Sequence, residues 1–421
     1  MKTIAEIAAE LAGYDPQALS AGAVNEFLAR LVQPAQGEDT VGIFAAQGRV
    51  LARDIVSPIS VPPHDNSAMD GYAFDGAQLR GQALTLELAG TALAGKAWQG
   101  QVGPGQCVKI MTGAIMPAGL DTVVPQEFTK PAGEGRITFS TDVVRPGDNR
   151  RLMGEDLMQG KAALAAGTLL GPAACGLLAS LGIAQVAVRR RLRVAYFSTG
   201  DEILSLGEAP REGAVYDSNR YTVHGLLTRL GCEVIDMGVV RDDPARLEAA
   251  FRSAAAEADA IITSGGVSVG EADFTKAMMA KLGDVAFWRI AMRPGRPMAV
   301  GRIGSSVLFG LPGNPVAVMV TFLAFVRPAL LKMMGATAEP TPMLRARSLE
   351  AMRKKPGRTE YQRGRVSRAA DGTLQVRTTG NQGSGVLSSM VEANGLIVLS
   401  HAQGNVAAGE EVDVLMFDGA I

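Results

Sequence analysis

The feature that most constrains this chain is a rhythm that begins at Leu192 and repeats: apolar strand, small or acidic turn, helix. LRVAYFS runs into TGDE, and the helical pattern YTVHGLLTRLG follows DSNR. CEVIDMGVV leads through RDDP to ARLEAAFRSAAAEA, DAIITSGG precedes FTKAMMAKLG, and SSVLFGLPGNP precedes VAVMVTFLAFVRPALLKMM. Strands alternating with helices predict a parallel, doubly wound sheet. Its crossovers are right-handed, so every strand-to-helix turn falls at the carboxyl edge, where ligands bind. Thr199, Gly200, Asp201 and Glu202 are thereby brought to one edge with Asp242 and Asp243, with Ser264, Gly265 and Gly266, and with Gly310, Gly313 and Asn314.

Within that edge, IITSGGVSVGEADF (residues 261–274) reads as a buried strand, a small-residue turn and a helix start. Small side chains let backbone N–H groups approach an anion, and a helix start adds the positive end of its dipole. Such a turn taken alone is as often a tight connection as a phosphate cradle. The chain has no GxxxxGK[ST], and no GxGxxG follows the first strand, which argues against either standard mode of nucleotide binding. Arg289, Arg293 and Arg296, in FWRIAMRPGRPMAVGRI beside the edge, suit a polyanionic ligand.

With 421 residues the chain exceeds one average domain, so the rest must form further units. Ser20 can cap a helix with apolar positions Val24, Phe27, Leu28 and Leu31, and a second helix over residues 173–181 could pair with it. LTLEL, CVKIMTG and RITFS predict a small β domain between residues 84 and 139. The turn Asp371-Gly372 and the alternating GLIVLS and EEVDVLMF predict a β-barrel from Leu344 on. The 41 basic and 42 acidic residues argue against nonspecific nucleic-acid binding, leaving open a local basic groove. Cys107, Cys175 and Cys232 lie far apart and read as reduced core residues of a cytoplasmic protein, while His64, His224 and His401 are too scattered for a zinc site. Acids in MKTIAEIAAELAGYDP interrupt any export signal, and glycines and Pro172 break the weakly polar stretch 162–188, so no membrane span is expected there.

Nine motifs in fixed order then carry a resemblance. They are DNSAMDGYA (65–73), IMTGA (110–114), RRLMGED (150–156), FSTGDE (197–202), YDSNR (216–220), RDDP (241–244), SGGVSVGEAD (264–273), RPGRP (293–297) and GLPGNP (310–315). With PGRTEYQRG and GNQGS near the C-terminus, the chain resembles the molybdopterin molybdenumtransferases of the bacterial MoeA type, relatives of the gephyrin E domain. The resemblance implies four domains. These are a helical and extended one from residues 1–60 and 150–190, an inserted β domain at 61–149, a molybdopterin-binding α/β domain at 191–335 and a β-barrel at 340–421. It implies an elongated subunit, a homodimer with shared active sites, and transient contact with the pathway's adenylyltransferase and with cofactor acceptors. The implied reaction takes adenylyl-molybdopterin and molybdate, releases AMP and leaves molybdenum on the dithiolene sulfurs, with Mg²⁺ or another divalent ion present.

By position, Asp70 and Thr112 would serve the partner's site, Glu155 and Asp156 would line the same cleft, and Glu202, Asp242 and Asp273 would form an acidic cluster. Carboxylates facing an anionic substrate repel it unless a cation intervenes, which makes those three the candidate metal ligands. Arg293 with Pro294, Arg363 and Ser384 would hold molybdate, and Ser264, Gly265, Gly266, Arg289, Gly313 and Asn314 complete the substrate set. Relatives usually carry lysines at Arg289, Arg293 and Arg296, and a serine at Ala317. Plainer roles stand beside these: Asp70 as a turn residue before Gly71, Glu202 and Asp242 as helix caps, the arginines as a solvated face. Alternative functions are adenylyl transfer to molybdopterin and a gephyrin-like scaffold.

Overall fold

The computed structural model describes residues 2–267, 274–337 and 340–417. The strand patterns after Leu192 assemble into one six-stranded sheet, in the order Glu233–Val240, Arg193–Thr199, Ala260–Ser264, Ser306–Leu311, Pro297–Ile303, Gly283–Arg289. The first four are mutually parallel. Every residue of Ala260–Ser264 and Ser306–Leu311 is buried, as expected of central strands covered on both faces. Pro297–Ile303 runs antiparallel to both its neighbours while Gly283–Arg289 keeps the sense of the first four, so the sheet is mixed where the rhythm alone suggested parallel pairing. Its local cause is a two-residue hairpin, in which Gly304 takes φ +60 and folds Pro297–Ile303 back onto Ser306–Leu311.

The helices Ser218–Leu230, Pro244–Glu257 and Phe274–Leu282 follow the strands as predicted. Pro315–Met333 is a continuous helical run with a π-turn at Phe322–Val326. Pro328 cannot donate to the carbonyl four residues back, and the Arg327 N–H reaches Phe322 instead. This run is long and apolar enough to cross a membrane by length and composition, with mean hydropathy 1.8, yet 72% of it is buried inside the protein. It packs in the largest core cluster.

The N-terminal helix Ala21–Leu31 starts at the predicted cap, with Ser20 Oγ accepting the Ala23 N–H. Its partner differs from the expected one. Phe27 packs edge-on against Trp288 of the central unit at 4.9 Å, and Trp288 Nε1 donates to the Tyr14 hydroxyl at 2.9 Å. Helix Pro172–Ser180 packs instead with Ile43–Ala46 and the ladder strand Gln185–Arg189. An amphipathic face dictates that a helix buries one side, and leaves the partner open.

Three two-stranded ladders run out from the central unit and back: Glu38–Gly42 with Gln185–Arg189, Ile55–Val56 with Ala162–Leu164, and Asn66–Ser67 with Arg150–Arg151. They lead to a six-stranded sheet ordered Thr122–Pro125, Gly71–Phe74, Gln106–Ile110, Ala83–Ala92, Arg136–Ser140, Lys130–Pro131. At the other end, Thr359–Arg368, Leu374–Thr378, Leu344–Ser348, Glu411–Met416 and Gly395–Leu399 close into a five-stranded barrel, sealed by pairing of the last with the first. Met292–Arg293 joins that barrel as an extra parallel strand beside Thr359 and Glu360, which fixes the arginine loop between barrel and central sheet.

Candidate active site

At the carboxyl edge a cleft of about 740 Å³ opens between the central sheet and the barrel. Its walls include Glu202, Gly265, Gly266, Arg293, Arg296 and Ser384. A second chamber of about 600 Å³ continues from it, sharing Glu202, Gly265, Gly313 and Asn314. A third of about 260 Å³ lies behind Arg293 and Pro294 and is lined by Arg363.

The glycines are required by close approach. A Cβ on Gly200 would sit 2.5 Å from Glu202 Oε2, so the bare backbone there lets the carboxylate fold against it. Gly265 has φ +89, and a Cβ on it would stand 2.5 Å from the Thr199 carbonyl oxygen. Below the turn, Ser264 Oγ lies 2.7 Å from the Tyr196 hydroxyl and 3.3 Å from Ser198 Oγ, all three buried. Asn314 Nδ2 donates to Ser384 Oγ at 3.0 Å, tying the loop after Leu311 to the barrel.

Cation and anion are distributed unevenly. The side chains of Arg293 and Arg296 line the cleft and have no ion-pair partner among the described residues. Arg358 is paired with the buried Glu360, its Nε donating at 2.8 Å. Arg363 is buried, and its Nε donates to Ser389 Oγ while Nη2 donates to the carbonyls of Asn381 and Gly383, leaving Nη1 without a partner among the described residues. Burial, and secondarily the charge of Arg293, pushes its guanidinium down to about 10. A buried cation held by neutral acceptors keeps its charge uncompensated and can attract an oxyanion.

Glu202 and Asp242 follow neighbouring paired strands. The Asp242 N–H lies 3.3 Å from Asp201 Oδ1, while Asp243 Oδ1 caps its helix through the Arg246 N–H at 2.9 Å. The carboxylates of Glu202 and Asp242 are hard oxygen donors of the kind Mg²⁺ takes. Asp273, the third candidate ligand, lies outside the described residues, and among the described residues no group of three acidic, cysteine or histidine side chains could hold a metal.

The structure therefore brings together Glu202, Ser264, Gly265, Gly266, Arg293, Pro294, Gly313, Asn314 and Ser384, with Arg363 in the chamber behind. Arg289 is exposed and absent from the cleft walls. Asp70, Thr112, Glu155 and Asp156 are exposed and line none of the three chambers. Asp70 Oδ1 accepts both the Thr112 N–H and its hydroxyl at 2.7 Å, which holds the Asp70 carboxyl below its usual range. Glu155 Oε2 accepts the Leu152 N–H at 2.9 Å. Sequence reasoning passed over Arg358, Gln382, Asp217 and Asn219, which also line these chambers. All four lie inside the motifs PGRTEYQRG, GNQGS and YDSNR, the one signal that pointed to them.

Comparison with known proteins agrees with this architecture. Residues 20–182 match the MoeA N-terminal region (domain I and II), 195–332 a probable molybdopterin-binding domain, and 345–417 the MoeA C-terminal region (domain IV). The chain is 44% identical to a molybdopterin molybdenumtransferase of Haemophilus influenzae over 94% of its own length and 97% of the relative's. It is 33% identical to that of Bacillus subtilis, with 90% of each chain covered. A solved molybdopterin biosynthesis protein of Pyrococcus horikoshii superposes with a TM-score of 0.81 at 27% identity, covering 95% of this chain and all of that one. Matches along nearly the whole chain, in the same order as the folded units, make this protein a member of the MoeA family.

Proposed function

We propose that this protein is the transferase that inserts molybdenum in molybdenum cofactor biosynthesis, using adenylyl-molybdopterin and molybdate and releasing AMP. One observation carries the reading: a single cleft in which Arg293 and Arg296, free of ion-pair partners among the described residues, face the Gly265–Gly266 turn, with Glu202 in the same wall. A polyanion is held by such guanidinium groups and by backbone N–H groups that glycine leaves accessible. Molybdate loses one oxygen as water, which carries away the two dithiol protons, and two Mo–S bonds form with no change of oxidation state. The phosphoanhydride P–O bond breaks on attack by a water oxygen, and AMP departs. Arg363 Nη1 donates to a molybdate oxygen, and Asn314 with Ser384 fixes its orientation.

Glu202, Asp242 and Asp273 would hold Mg²⁺, which when bound neutralises the phosphoanhydride oxygens. The expected result for Asp242→Asn is a folded protein that has lost metal-dependent AMP release. Unchanged turnover with unchanged Mg²⁺ dependence would sink the ligand assignment. Asp70, Thr112, Glu155 and Asp156 belong, in this reading, to the partner's site in a cytoplasmic homodimer; their position away from the chambers of their own subunit supports it. Asp70→Ala and Asp242→Ala chains, each inactive, should regain activity when mixed as heterodimers, and no recovery would overturn the shared site. The product then passes to acceptor proteins, and the adenylylated substrate arrives from the pathway's adenylyltransferase.

A further inference from the structure

The second chamber differs in chemistry from the arginine cleft it joins. Its floor includes Asp217 and Asn219, only 4% and 8% exposed. Asp217 Oδ1 caps the helix Ser218–Leu230 by accepting the Arg220 N–H at 3.0 Å, but Oδ2 is buried with no partner among the described residues. Asn219 Nδ2 donates to the Gly313 carbonyl at 2.7 Å, which fixes the amide orientation and leaves Oδ1 buried and also without a partner among the described residues. The neighbouring cation cannot serve them, because Arg220 is turned to Asp236 in a two-pronged pair at 2.8 Å. Two buried acceptors two residues apart thus await donors, and each costs stability while unmet. The hydroxyls of Ser198 and Ser264, in the same chamber, can donate or accept.

Resting on the function proposed above, we infer that this chamber takes the 2-amino-4-oxopyrimidine edge of the pterin, with Asp217 and Asn219 as its acceptors. That edge presents a ring N–H beside an exocyclic amino group, two adjacent donors, followed by a carbonyl that a serine hydroxyl can meet. Adenine presents an amino group flanked by ring acceptors and would leave one buried oxygen unmet. The acid also orients the substrate. Asp217 repels the phosphates, which therefore cross at Gly265 and Asn314 into the cleft of Arg293 and Arg296.

The probe is pterin-6-carboxylate, followed by its own fluorescence, against the lumazine analogue in which a carbonyl replaces the 2-amino group. Wild-type protein should bind the pterin roughly tenfold tighter than the lumazine. Asp217→Asn keeps the helix cap, since asparagine caps as well as aspartate, so its melting curve should match wild type. It should lose the pterin preference and raise KM for adenylyl-molybdopterin by about tenfold, with a smaller change in kcat. Equal binding of both probes by wild type, no binding by wild type, or an Asp217→Asn affinity within about twofold of wild type overturns the inference. So does a loss confined to AMP affinity, which would give the chamber to adenine. Asp217-dependent probe binding without any AMP release by wild type would uphold this subsite while refuting the proposed reaction.

Discussion

Replacing Arg363 by methionine separates stability from oxyanion binding. The guanidinium is 1% exposed, and burial, with a smaller part from the charge of Arg293, pushes it well below the ordinary arginine value to about 10, a cost of keeping it charged on the order of 3 kcal/mol in the folded protein. Against this stand three hydrogen bonds. Ser389 Oγ keeps its own bond to the Val386 carbonyl, and Asn381 is exposed and Gly383 half-buried, so water can reach their carbonyls; the loss is about 1 kcal/mol for each. The two sides nearly cancel, and urea unfolding of Arg363→Met should fall within about 2 kcal/mol of wild type. The folded-state value lies below the unfolded one, so the cost is fully present below about 10 and is relieved as pH rises through 10 toward the ordinary arginine value. Wild type should accordingly gain on the variant between pH 9 and pH 11. Binding should respond quite differently. A charge-assisted bond to molybdate is worth about 1.5–3 kcal/mol, so the molybdate concentration for half-maximal AMP release should rise roughly 10- to 150-fold. Molybdate should also cease to raise the melting temperature. A variant that keeps the molybdate response within about twofold, or one that loses more than about 4 kcal/mol, would refute the reasoning.

Gly265→Ala must place a Cβ 2.5 Å from the Thr199 carbonyl at φ +89, and should destabilise by at least about 2 kcal/mol in urea unfolding; a smaller loss would mean the turn has another accessible conformation. Asp70 is held below its usual range by the Thr112 N–H and hydroxyl, so its contribution to stability is present above the unfolded value and lost only as pH falls through the depressed one. Asp70→Asn should therefore lower the rate of AMP release without changing the shape of the pH–rate profile from pH 5 to 9, and a displaced acid limb would contradict this. Burial pushes the thiols of Cys107 and Cys232 up to about 12, whereas Cys175 is half-buried. Native protein treated with iodoacetamide at pH 8 should carry label at Cys175 before either of the others, as read by peptide mass spectrometry; early labelling of Cys107 would indicate local opening of the inserted sheet.

What the sequence disclosed was what local patterns enforce. Ala260–Ser264 and Ser306–Leu311 are buried throughout and mostly apolar because both faces are covered, and no alternative element fits runs so short. The reversed direction of Pro297–Ile303 lay outside the strand–helix rhythm, since no helix separates it from Gly283–Arg289 or from Ser306–Leu311 and it pairs antiparallel with both. The destination of Ala21–Leu31 was hidden for a related reason: its stripe requires burial, but Phe27 could meet Trp288 only after the whole sheet had formed. The site divides along the same line. TGDE announced Glu202 because a strand end fixes where the next residues lie, whereas Arg363 was placed by family resemblance, and that its bonds among the described residues go to a hydroxyl and two carbonyls is a tertiary fact. Asp217 sharpens the point. From local sequence an aspartate before Ser-Asn-Arg reads as a helix cap, and one carboxylate oxygen does cap. A carboxylate has two oxygens, however, and only the folded structure reveals that the second is buried without a donor among the described residues, so capping accounts for one oxygen and the pterin proposed for the chamber would supply a donor to the other.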